Sequence, residues 1–215
     1  MANAKPKSAP RVAVLADGTK RRVPAHMTVA EFEAFPFREG DHWELINGET
    51  VLSPSPQYDH QFVVRTLLIF LDGQMARADR SEHVIPGLDM RASESSSYVW
   101  PDLMVVPDDE LLDGKARPYT GTPMLVVEVL SPSSHARDIQ DKHDIYERRG
   151  VPEYWVVDPV TGALFVFVRN RKGRYEQQPA DDEGFVYSSF CNLLLRMAKR
   201  KRTFDVLTKN RRKGA

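Results

Sequence analysis

Apolar positions recur along the chain with two different periods, which predict two long helices among many short strands. At 58–78 the apolar residues return every three to four positions, as expected for a helix with one buried face. A second helix is predicted at about 137–149, where Gly150 and Pro152 follow and would end it. Both helices need another layer of structure against which to bury their apolar faces.

Short apolar runs separated by turn residues predict the strands. The segment WELINGETVL at 43–52 is predicted to form two strands joined at Asn47-Gly48, a pair typical of tight hairpin turns. Further strands are expected at 83–91, 98–106, 123–130, 153–158, 163–168 and 174–178. This mixture predicts an α/β (α+β) domain, with a central mixed β-sheet flanked by helices.

The start of the chain carries weaker local signals. Asp17-Gly18 predicts a small hairpin within the segment VAVLADGTKRRV. Thr28 and Glu31 have the spacing of a capping box, which predicts a short helix that ends near Pro36. Residues 1–10 are polar and rich in proline, a composition typical of disordered segments.

Two acidic residues interrupt strands that are otherwise apolar. Glu128 lies within LVVEVL and Asp102 within YVWPDLMVV, where Pro101 gives the acid an extended, rigid entry. An ionised carboxylate is costly to bury unless a cation or strong hydrogen bonds compensate its charge. If the two strands are neighbours, Mg²⁺ bound by both carboxylates would relieve their repulsion. The alternative for Glu128 is an ion pair with a core arginine or lysine.

Lys142 follows these acids on the second predicted helix, in the segment ARDIQDKHDIYERRG. It lies four residues after Asp138, so the two side chains share one helix face. One interpretation is a surface ion pair, which stabilises a helix by only about 0.3 kcal/mol. The other is that this face leans over the metal site, where an ammonium could orient an attacking water and stabilise charge on a phosphate.

Composition narrows the class of protein. The chain has 215 residues, of which 41% are hydrophobic and 28% charged, as expected for one soluble globular domain with short extensions. No apolar run approaches the length of about 20 residues that a membrane span needs, and the first residues lack the apolar core of a signal peptide. The one cysteine, Cys191, excludes an intrachain disulfide and favours a cytoplasmic location.

A net charge of zero conceals a strong asymmetry along the chain. Residues 1–25 carry a net charge of +5 and residues 196–215 carry +8, which leaves −13 on the rest. Basic ends on an acidic body suggest arms that bind a polyanion, with solvated tails as the alternative. We therefore predict a basic N-terminal extension at 1–25, a folded domain at 26–190 and a basic C-terminal tail at 191–215.

Several segments together resemble a known family. They are PD at 101–102, VVEVLSPSS at 126–134, DIQDK at 138–142 and GVPEYWVVDP at 150–159, with WELINGE and SPSP earlier in the chain. On these segments the chain is similar to the Uma family of restriction-endonuclease-like proteins, within the PD-(D/E)XK nuclease superfamily. The likeness runs from about 27 to 167 and implies a restriction-endonuclease-like core. No motif of a serine hydrolase, a zinc site or an ATP-binding loop competes with it.

The resemblance implies Mg²⁺ or Mn²⁺ as cofactor and gives a role to the residues above. Asp102 and Glu128, with the backbone carbonyl of Val129, would be metal ligands, and Lys142 would be the catalytic lysine. In most of the superfamily the lysine stands two residues after the second acid, where this chain has Leu130. Lys142 must therefore reach back to the site from the following helix.

Three further residues are candidates for auxiliary roles. Glu44 resembles an acid that some nucleases of the superfamily contribute, either as an extra ligand or behind the ligands; otherwise it is a surface acid. His60 opens the first long helix and could contact phosphate or the metal; otherwise it is a polar residue of the first turn. Asp138 is expected to orient Lys142.

The predicted function is a Mg²⁺-dependent endonuclease that hydrolyses DNA with a metal-activated water, leaving a 5′-phosphate and a 3′-hydroxyl by resemblance to the superfamily. The basic tails would add affinity for the DNA backbone that does not depend on sequence. A homodimer is expected, because cutting both strands of a duplex commonly uses two active sites. The alternative is a catalytically inactive module of the same fold that binds nucleic acid or a protein partner, with Lys142 pointing away from the acids.

Overall fold

Four helices and fifteen strands make up the described part of the chain. The computed structural model describes residues 11–15, 18–38, 41–53, 57–93, 96–111, 118–131, 136–198 and 203–208. The helices are α1 (Val29–Ala34), α2 (Tyr58–Arg77), α3 (Asp108–Leu111) and α4 (Ala136–Arg149). The strands are β1 (Arg11–Val14), β2 (Lys20–Val23), β3 (Trp43–Ile46), β4 (Glu49–Leu52), β5 (His83–Pro86), β6 (Met90–Ser93), β7 (Ser97–Val99), β8 (Leu103–Val106), β9 (Leu125–Val129), β10 (Glu153–Val157), β11 (Leu164–Arg169), β12 (Tyr175–Gln177), β13 (Val186–Ser188), β14 (Leu193–Ala198) and β15 (Thr203–Thr208). Within these ranges no helix is long and apolar enough to cross a bilayer.

A six-stranded mixed sheet forms the centre of the fold, in the order β12-β11-β10-β9-β8-β5. Strands β9 and β10 are parallel neighbours linked through α4, and the other neighbours are antiparallel. Every residue of β9 and β10 is buried, because helices and further strands cover the sheet on both faces. This arrangement confirms the predicted α/β (α+β) class, a central mixed sheet flanked by helices.

The two strands predicted at 83–91 and 98–106 each divide between two sheets. The chain turns at Gly87, which has a φ of 57°, so that β5 joins the central sheet and β6 joins a four-stranded sheet of order β4-β3-β7-β6. The second predicted strand divides at Pro101 and Asp102 into β7 and β8. The prediction of single strands was wrong, because the pattern of apolar and polar residues does not reveal where the chain leaves one sheet and enters another.

The two faces of the central sheet are covered by different elements. On one face lie α2 and the three-stranded sheet β13-β14-β15, and Leu67 and Leu71 of α2 are fully buried there. On the other face, α4 and the four-stranded sheet share a second core cluster that includes Tyr146 and Tyr154. The two long helices therefore hold opposite faces of β9, the strand that carries Glu128.

Short-range signals are confirmed where the structure describes them. Asn47 and Gly48 have positive φ angles of 50° and 82°, as the tight turn between β3 and β4 requires. Thr28 caps α1 through the reciprocal hydrogen bonds of a capping box with Glu31. Strands β1 and β2 form the predicted N-terminal hairpin, and residues 1–10, for which the sequence predicts disorder, lie outside the described residues.

The C-terminal segment contributes two strands to the folded domain. The sequence predicts a basic tail from residue 191, but β14 and β15 lie beyond that residue. Leu195 is fully buried in the core, and the Phe204 ring stacks on Phe70 of α2 with centroids 5.3 Å apart. These two strands are therefore not a tail. The basic segments 199–202 and 209–215 lie outside the described residues.

A buried carboxylate on β10 fastens the C-terminal sheet to the central sheet. Glu153 is 1% exposed, and its Oε1 accepts hydrogen bonds from the Trp155 indole and the Ser188 hydroxyl, both at 2.6 Å. Its Oε2 accepts three more, from the backbone N–H and hydroxyl of Ser189 and from the backbone N–H of Phe190. Five uncharged donors therefore satisfy both oxygens of this acid.

Candidate active site

The ends of two antiparallel strands bring Asp102 and Glu128 together. Strands β8 and β9 pair through Leu103 and Val127, and the two acids are the next residues along the same register. The backbone N–H of Val129 donates to Asp102 Oδ2 at 2.7 Å, which ties the first acid to the end of β9. Both carboxylates thus lie at the same end of the central sheet.

Asp102 also contacts the first turn of α2. His60 Nε2 lies 3.2 Å from Asp102 Oδ2, the oxygen that the Val129 N–H already uses. His60 Nδ1 is buried and has no hydrogen-bond partner among the described residues. The other oxygen, Asp102 Oδ1, accepts no hydrogen bond from the described part of the chain, and the side chain is 21% exposed. One oxygen of this acid is therefore open to a ligand.

Glu128 is held from the opposite face of the sheet, by α4. Lys142 Nζ lies 3.0 Å from Glu128 Oε1, and the Tyr146 hydroxyl donates to the same oxygen at 2.6 Å. Lys142 and Tyr146 are four residues apart, so they lie one above the other on the helix face that covers β9. No described residue donates to Glu128 Oε2, so this acid also keeps one open oxygen.

A third acid completes the surroundings of Lys142. Glu44 on β3 is 3% exposed, and its Oε1 lies 3.0 Å from Lys142 Nζ. The Trp100 backbone N–H donates to the same oxygen at 2.9 Å, and the Ser53 hydroxyl donates to Glu44 Oε2 at 2.8 Å. Both oxygens of Glu44 are engaged within the protein, so its geometry suits holding Lys142 better than binding a metal.

Burial and mutual charge shift the pKa values of the central pair. Burial raises the pKa of Glu128 above its usual range despite the Lys142 ammonium, and the charges of Asp102 and Glu44 raise it further. Burial would lower the pKa of Lys142, but the attraction of the three carboxylates outweighs burial and raises that pKa. Lys142 is therefore an ammonium at neutral pH. In this form it can donate hydrogen bonds and supply positive charge.

The acids also shift the pKa of His60. Burial alone would lower that pKa, but the hydrogen bond and charge of Asp102, the charge of Glu128 and an interaction with the Val129 backbone together raise it. These neighbours favour a ring that donates from Nε2 to Asp102. Because the histidine is buried in the first turn of α2, it restrains the orientation of this carboxylate.

The donor set fits a hard divalent cation. Mg²⁺ is usually bound by one or two carboxylates, with water and substrate phosphate oxygens completing its shell. Asp102 and Glu128 offer two neighbouring carboxylates with one open oxygen each. Within the described ranges, no group of three or more His, Cys, Asp or Glu side chains is arranged to hold a metal ion. A cation at this place would therefore depend on water or substrate oxygens for much of its coordination.

The structure gathers most of the predicted site residues into one cluster, formed by Asp102, Glu128, Lys142, Glu44 and His60. A lysine on the following helix does reach back to the second acid. The alternative for Glu128, an ion pair with a core lysine, coincides with this geometry, because that lysine is Lys142. Asp138 lies on α4, but its side chain is outside the described residues, so its expected contact with Lys142 stays a prediction.

Three contributors to the site carry no strong signal in the sequence. Tyr146 has the pattern of a core aromatic and is fully buried, yet its hydroxyl donates to Glu128. Its spacing of four residues from Lys142 is the signal that could have revealed it. The Ser53 hydroxyl and the Trp100 backbone reach Glu44 from 9 and 56 residues away along the chain, which no local pattern shows.

Comparisons with known proteins identify the family and the fold of the chain. The chain is 28% identical over 137 residues to "Uncharacterized protein sll1609" of Synechocystis sp., a match that covers 61% of this chain and 75% of the relative. Its fold is similar to a crystal structure from Anabaena variabilis titled as "a putative nuclease belonging to DUF820", with a TM-score of 0.62, 18% identity, and coverage of 77% of this chain and 90% of the other. Residues 29–193 match the profile of the family described as "Uma2: Putative restriction endonuclease". The chain therefore belongs to the Uma2 family, as its sequence segments predict.

Proposed function

We propose that the protein is a divalent-metal-dependent endonuclease that hydrolyses phosphodiester bonds in DNA. Membership of a restriction-endonuclease family supports a nuclease acting on nucleic acid. The observation that carries the proposal is the position of Lys142, whose ammonium lies 3.0 Å from Glu128 at the sheet end where Asp102 also lies. Two acids and a lysine at one end of a mixed sheet match the roles that the family resemblance gives to these residues.

Asp102 and Glu128 would hold Mg²⁺ or Mn²⁺ through the oxygens that the protein leaves open, with the Val129 carbonyl as a third ligand. When bound, such an ion lowers the pKa of a water molecule and neutralises charge on the scissile phosphate. His60 and Tyr146 fix the other oxygen of each carboxylate. Because both side chains are already restrained, little reorganisation is needed on binding.

Lys142 would serve as a hydrogen-bond donor and a fixed positive charge. The neighbouring carboxylates raise its pKa, which favours the ammonium, and in that form it would orient the attacking water and stabilise negative charge on the phosphate. Glu44 holds the ammonium at the site. Asp138 precedes Lys142 by about one helical turn and is proposed to help orient it.

The alternative function is a catalytically inactive binding module, which predicts a different position for the Lys142 side chain. It predicts a lysine turned away from the acids, whereas Lys142 Nζ contacts both Glu44 and Glu128. Taking an ammonium out of water is unfavourable unless its partners compensate it. A binding module of the same fold could keep this ion pair for stability alone, so the cleavage assay with Lys142→Met decides between the two functions.

The basic ends of the chain are proposed to supply affinity for the DNA backbone. Lys20, Arg21 and Arg22 are exposed on β2, and Arg21 lies over the Phe35 ring. Replacing Lys20 and Arg22 together by glutamine should weaken DNA binding and flatten its dependence on salt, because fewer counterions are released. Binding and salt dependence equal to wild type would contradict this role. A homodimer and a cytoplasmic location complete the proposal.

Plasmid cleavage by the purified protein tests the proposed activity, with Mg²⁺, Mn²⁺ or EDTA. Glu128→Gln removes the charge with little change of shape, and Lys142→Met removes the ammonium. Lys172→Met, at an exposed turn, is the matched control. We expect metal-dependent nicking by wild type and control, and a loss of about 100-fold to 1000-fold in both site variants.

Each other outcome revises a different part of the proposal. Full activity in both site variants would place the catalytic site elsewhere. Loss in Glu128→Gln alone would keep the metal ligand and remove the catalytic role of Lys142. No cutting of a mixed genomic DNA substrate, together with no thermal stabilisation by either metal, would favour the binding module.

A further inference from the structure

Helix α2 carries a largely apolar stripe on the side that faces away from the core. Tyr58, Phe62, Arg65, Ile69 and Asp72, here called the α2 stripe, follow one another at spacings of four, three, four and three residues. This is the heptad spacing of a helix that packs along another helix. Tyr58 is 79% exposed and Ile69 55%, and Arg65 and Asp72 are exposed as well.

The opposite side of the same helix already provides the contacts that the fold needs. Its buried apolar residues, which pack against the central sheet, are Val63, Val64, Leu67, Leu71 and Met75. Tyr58 and Phe62 stack on each other with ring centroids 6.4 Å apart, on the outer side of the helix. Tyr58 and Ile69 are exposed and Phe62 is half-buried, and exposed apolar side chains along one helix face commonly mark a surface that another molecule covers.

We propose that the α2 stripe is a dimer interface, in which two copies of this chain pack α2 against α2, antiparallel, about a two-fold axis at Ile69. A surface can pair with its own copy only if it is self-complementary. Arg65 lies about 6 Å before Ile69 along the helix, and Asp72 about 4.5 Å after it. Antiparallel packing therefore places Arg65 beside Asp72 of the partner subunit, twice in each dimer.

Side-chain size along the helix is also self-complementary. Phe62 and Ala76 lie about 10 Å on either side of Ile69, so each ring would meet the small side chain of Ala76 of the partner subunit. Gly73 lies on the same side, and a Cβ there would meet no atom of the described residues within 4 Å. Glycine weakens a helix relative to alanine, and the described part of the monomer gives no reason for a glycine here. The close approach of a second helix would give one.

A second copy fits this surface better than a nucleic acid does. The α2 stripe carries one cation and one anion, whereas a phosphate backbone requires an excess of basic side chains. The inference does not depend on nuclease activity. Because His60 lies in the first turn of α2, antiparallel packing would place the two candidate sites at opposite ends of the helix pair.

Sedimentation velocity of the full chain, without DNA or metal, tests the interface. One helix pair is a small interface, so we expect a dissociation constant on the order of 1–100 µM. Across that range wild type should pass from monomer to dimer, while Ile69→Glu stays monomeric. Val160→Glu, which replaces an apolar residue that is 68% exposed elsewhere, is the control and should dimerise like wild type.

Charge reversal tests the antiparallel arrangement. Arg65→Asp chains carry two acids at the contact and Asp72→Arg chains carry two bases, so each variant repels its own copy and should stay monomeric. An equimolar mixture brings opposite charges together and should form the dimer again. Circular dichroism checks that each variant is folded.

The outcomes that overturn the inference are distinct. Wild type that stays monomeric up to about 100 µM would exclude the dimer. A dimer that Ile69→Glu and both charge variants leave unchanged would place the interface elsewhere, and a mixture that stays monomeric would exclude antiparallel pairing. None of these results bears on the proposed nuclease activity, since no DNA or metal is present, whereas a monomeric wild type would remove the homodimer from the proposed function.

Discussion

Glu128 and Glu153 are buried carboxylates on adjacent parallel strands, and they are compensated in different ways. Glu153 accepts five hydrogen bonds from uncharged donors, distributed over both oxygens. Glu128 receives the Tyr146 hydroxyl and the Lys142 ammonium on one oxygen, and no described residue donates to the other. The first carboxylate is saturated by the fold, whereas the second keeps an oxygen for a ligand.

Burial alone therefore does not distinguish a structural acid from a candidate catalytic acid. At Glu153 the desolvation of the charge is offset by hydrogen bonds that also connect two sheets. At Glu128 it is offset by a lysine shared with Glu44, while Asp102 lies nearby, and the pKa of Glu128 is raised. Incomplete compensation of a buried charge is the property that fits a site which must bind something else.

The largest expected effect is a difference in the free energy of unfolding between variants of Glu153 and variants of Glu128. Glu153→Ala removes the acceptor of five buried or partly buried hydrogen bonds, so the free energy of unfolding should fall by about 4 kcal/mol. Glu128→Gln keeps most of its neighbours and should lower it by about 1 kcal/mol or less. Urea denaturation measures both, and Glu153→Gln serves as a milder variant if the alanine variant does not fold. Similar losses for the two acids would remove the distinction.

The second-largest expected effect tests the Lys142 ammonium and whether Mg²⁺ can replace its positive charge. Lys142→Met leaves Glu44 and Glu128 buried without their shared partner, so the unfolding free energy should fall by about 3 kcal/mol. Added Mg²⁺ would restore a positive charge to the site, so it should raise the melting temperature of this variant more than that of wild type. Differential scanning calorimetry with and without Mg²⁺ measures this. No rise in the melting temperature of either protein would argue against a metal at these acids.

A smaller effect tests whether Tyr146 positions Glu128. Tyr146→Phe removes one hydrogen bond to a charged acceptor, so stability should fall by about 1.5 kcal/mol and cleavage by about 10-fold. Tyr175→Phe is the matched control, since its hydroxyl donates to the Val151 carbonyl away from the site. Its stability should fall by about 1 kcal/mol with unchanged cleavage. Equal cleavage by the two variants would leave Tyr146 as a core residue only.

The smallest effect reports on the loop that Glu153 holds. Burial raises the pKa of the Cys191 thiol to about 12, and its backbone N–H donates to Ser188 Oγ beside Glu153. A protonated, partly buried thiol should react slowly with a disulfide reagent at pH 8. Labelling should stay slow in Glu128→Gln and become faster in Glu153→Gln, because the loop opens more often. Fast labelling of wild type would show that this region is not held as tightly as its hydrogen bonds indicate.

Local sequence patterns predict several elements of the fold and two of the buried acids. Asn47-Gly48 and the capping box at Thr28 specify a turn and a helix start through contacts within a few residues. Asp102 and Glu128 each interrupt an apolar run, so their burial can be expected from the sequence. Glu153 follows Pro152 at the start of a strand, and its donors in Ser188, Ser189 and Phe190 come 35 to 37 residues later.

Long-range placement accounts for what the sequence does not predict. The spacing of Asp138 and Lys142 is equally consistent with a surface ion pair, because the contact with Glu128 depends on how α4 lies over β9. Strands β14 and β15 are flanked by basic residues, which favour a tail when only composition is considered. The packing of Phe204 against α2 places them in the fold instead.

The segment between β7 and β8 connects two sheets that each contribute residues to the candidate site. On one side of Pro101, the Trp100 N–H holds Glu44; on the other, the Asp102 carboxylate meets His60 and the end of β9. Because proline fixes its own φ, these three residues act as a rigid spacer between two sheets. The spacing between Glu44 and Asp102 thus depends on how the four-stranded sheet packs against the central sheet. Distant substitutions that let the two sheets shift would therefore misalign the site residues, although none of those residues is itself replaced.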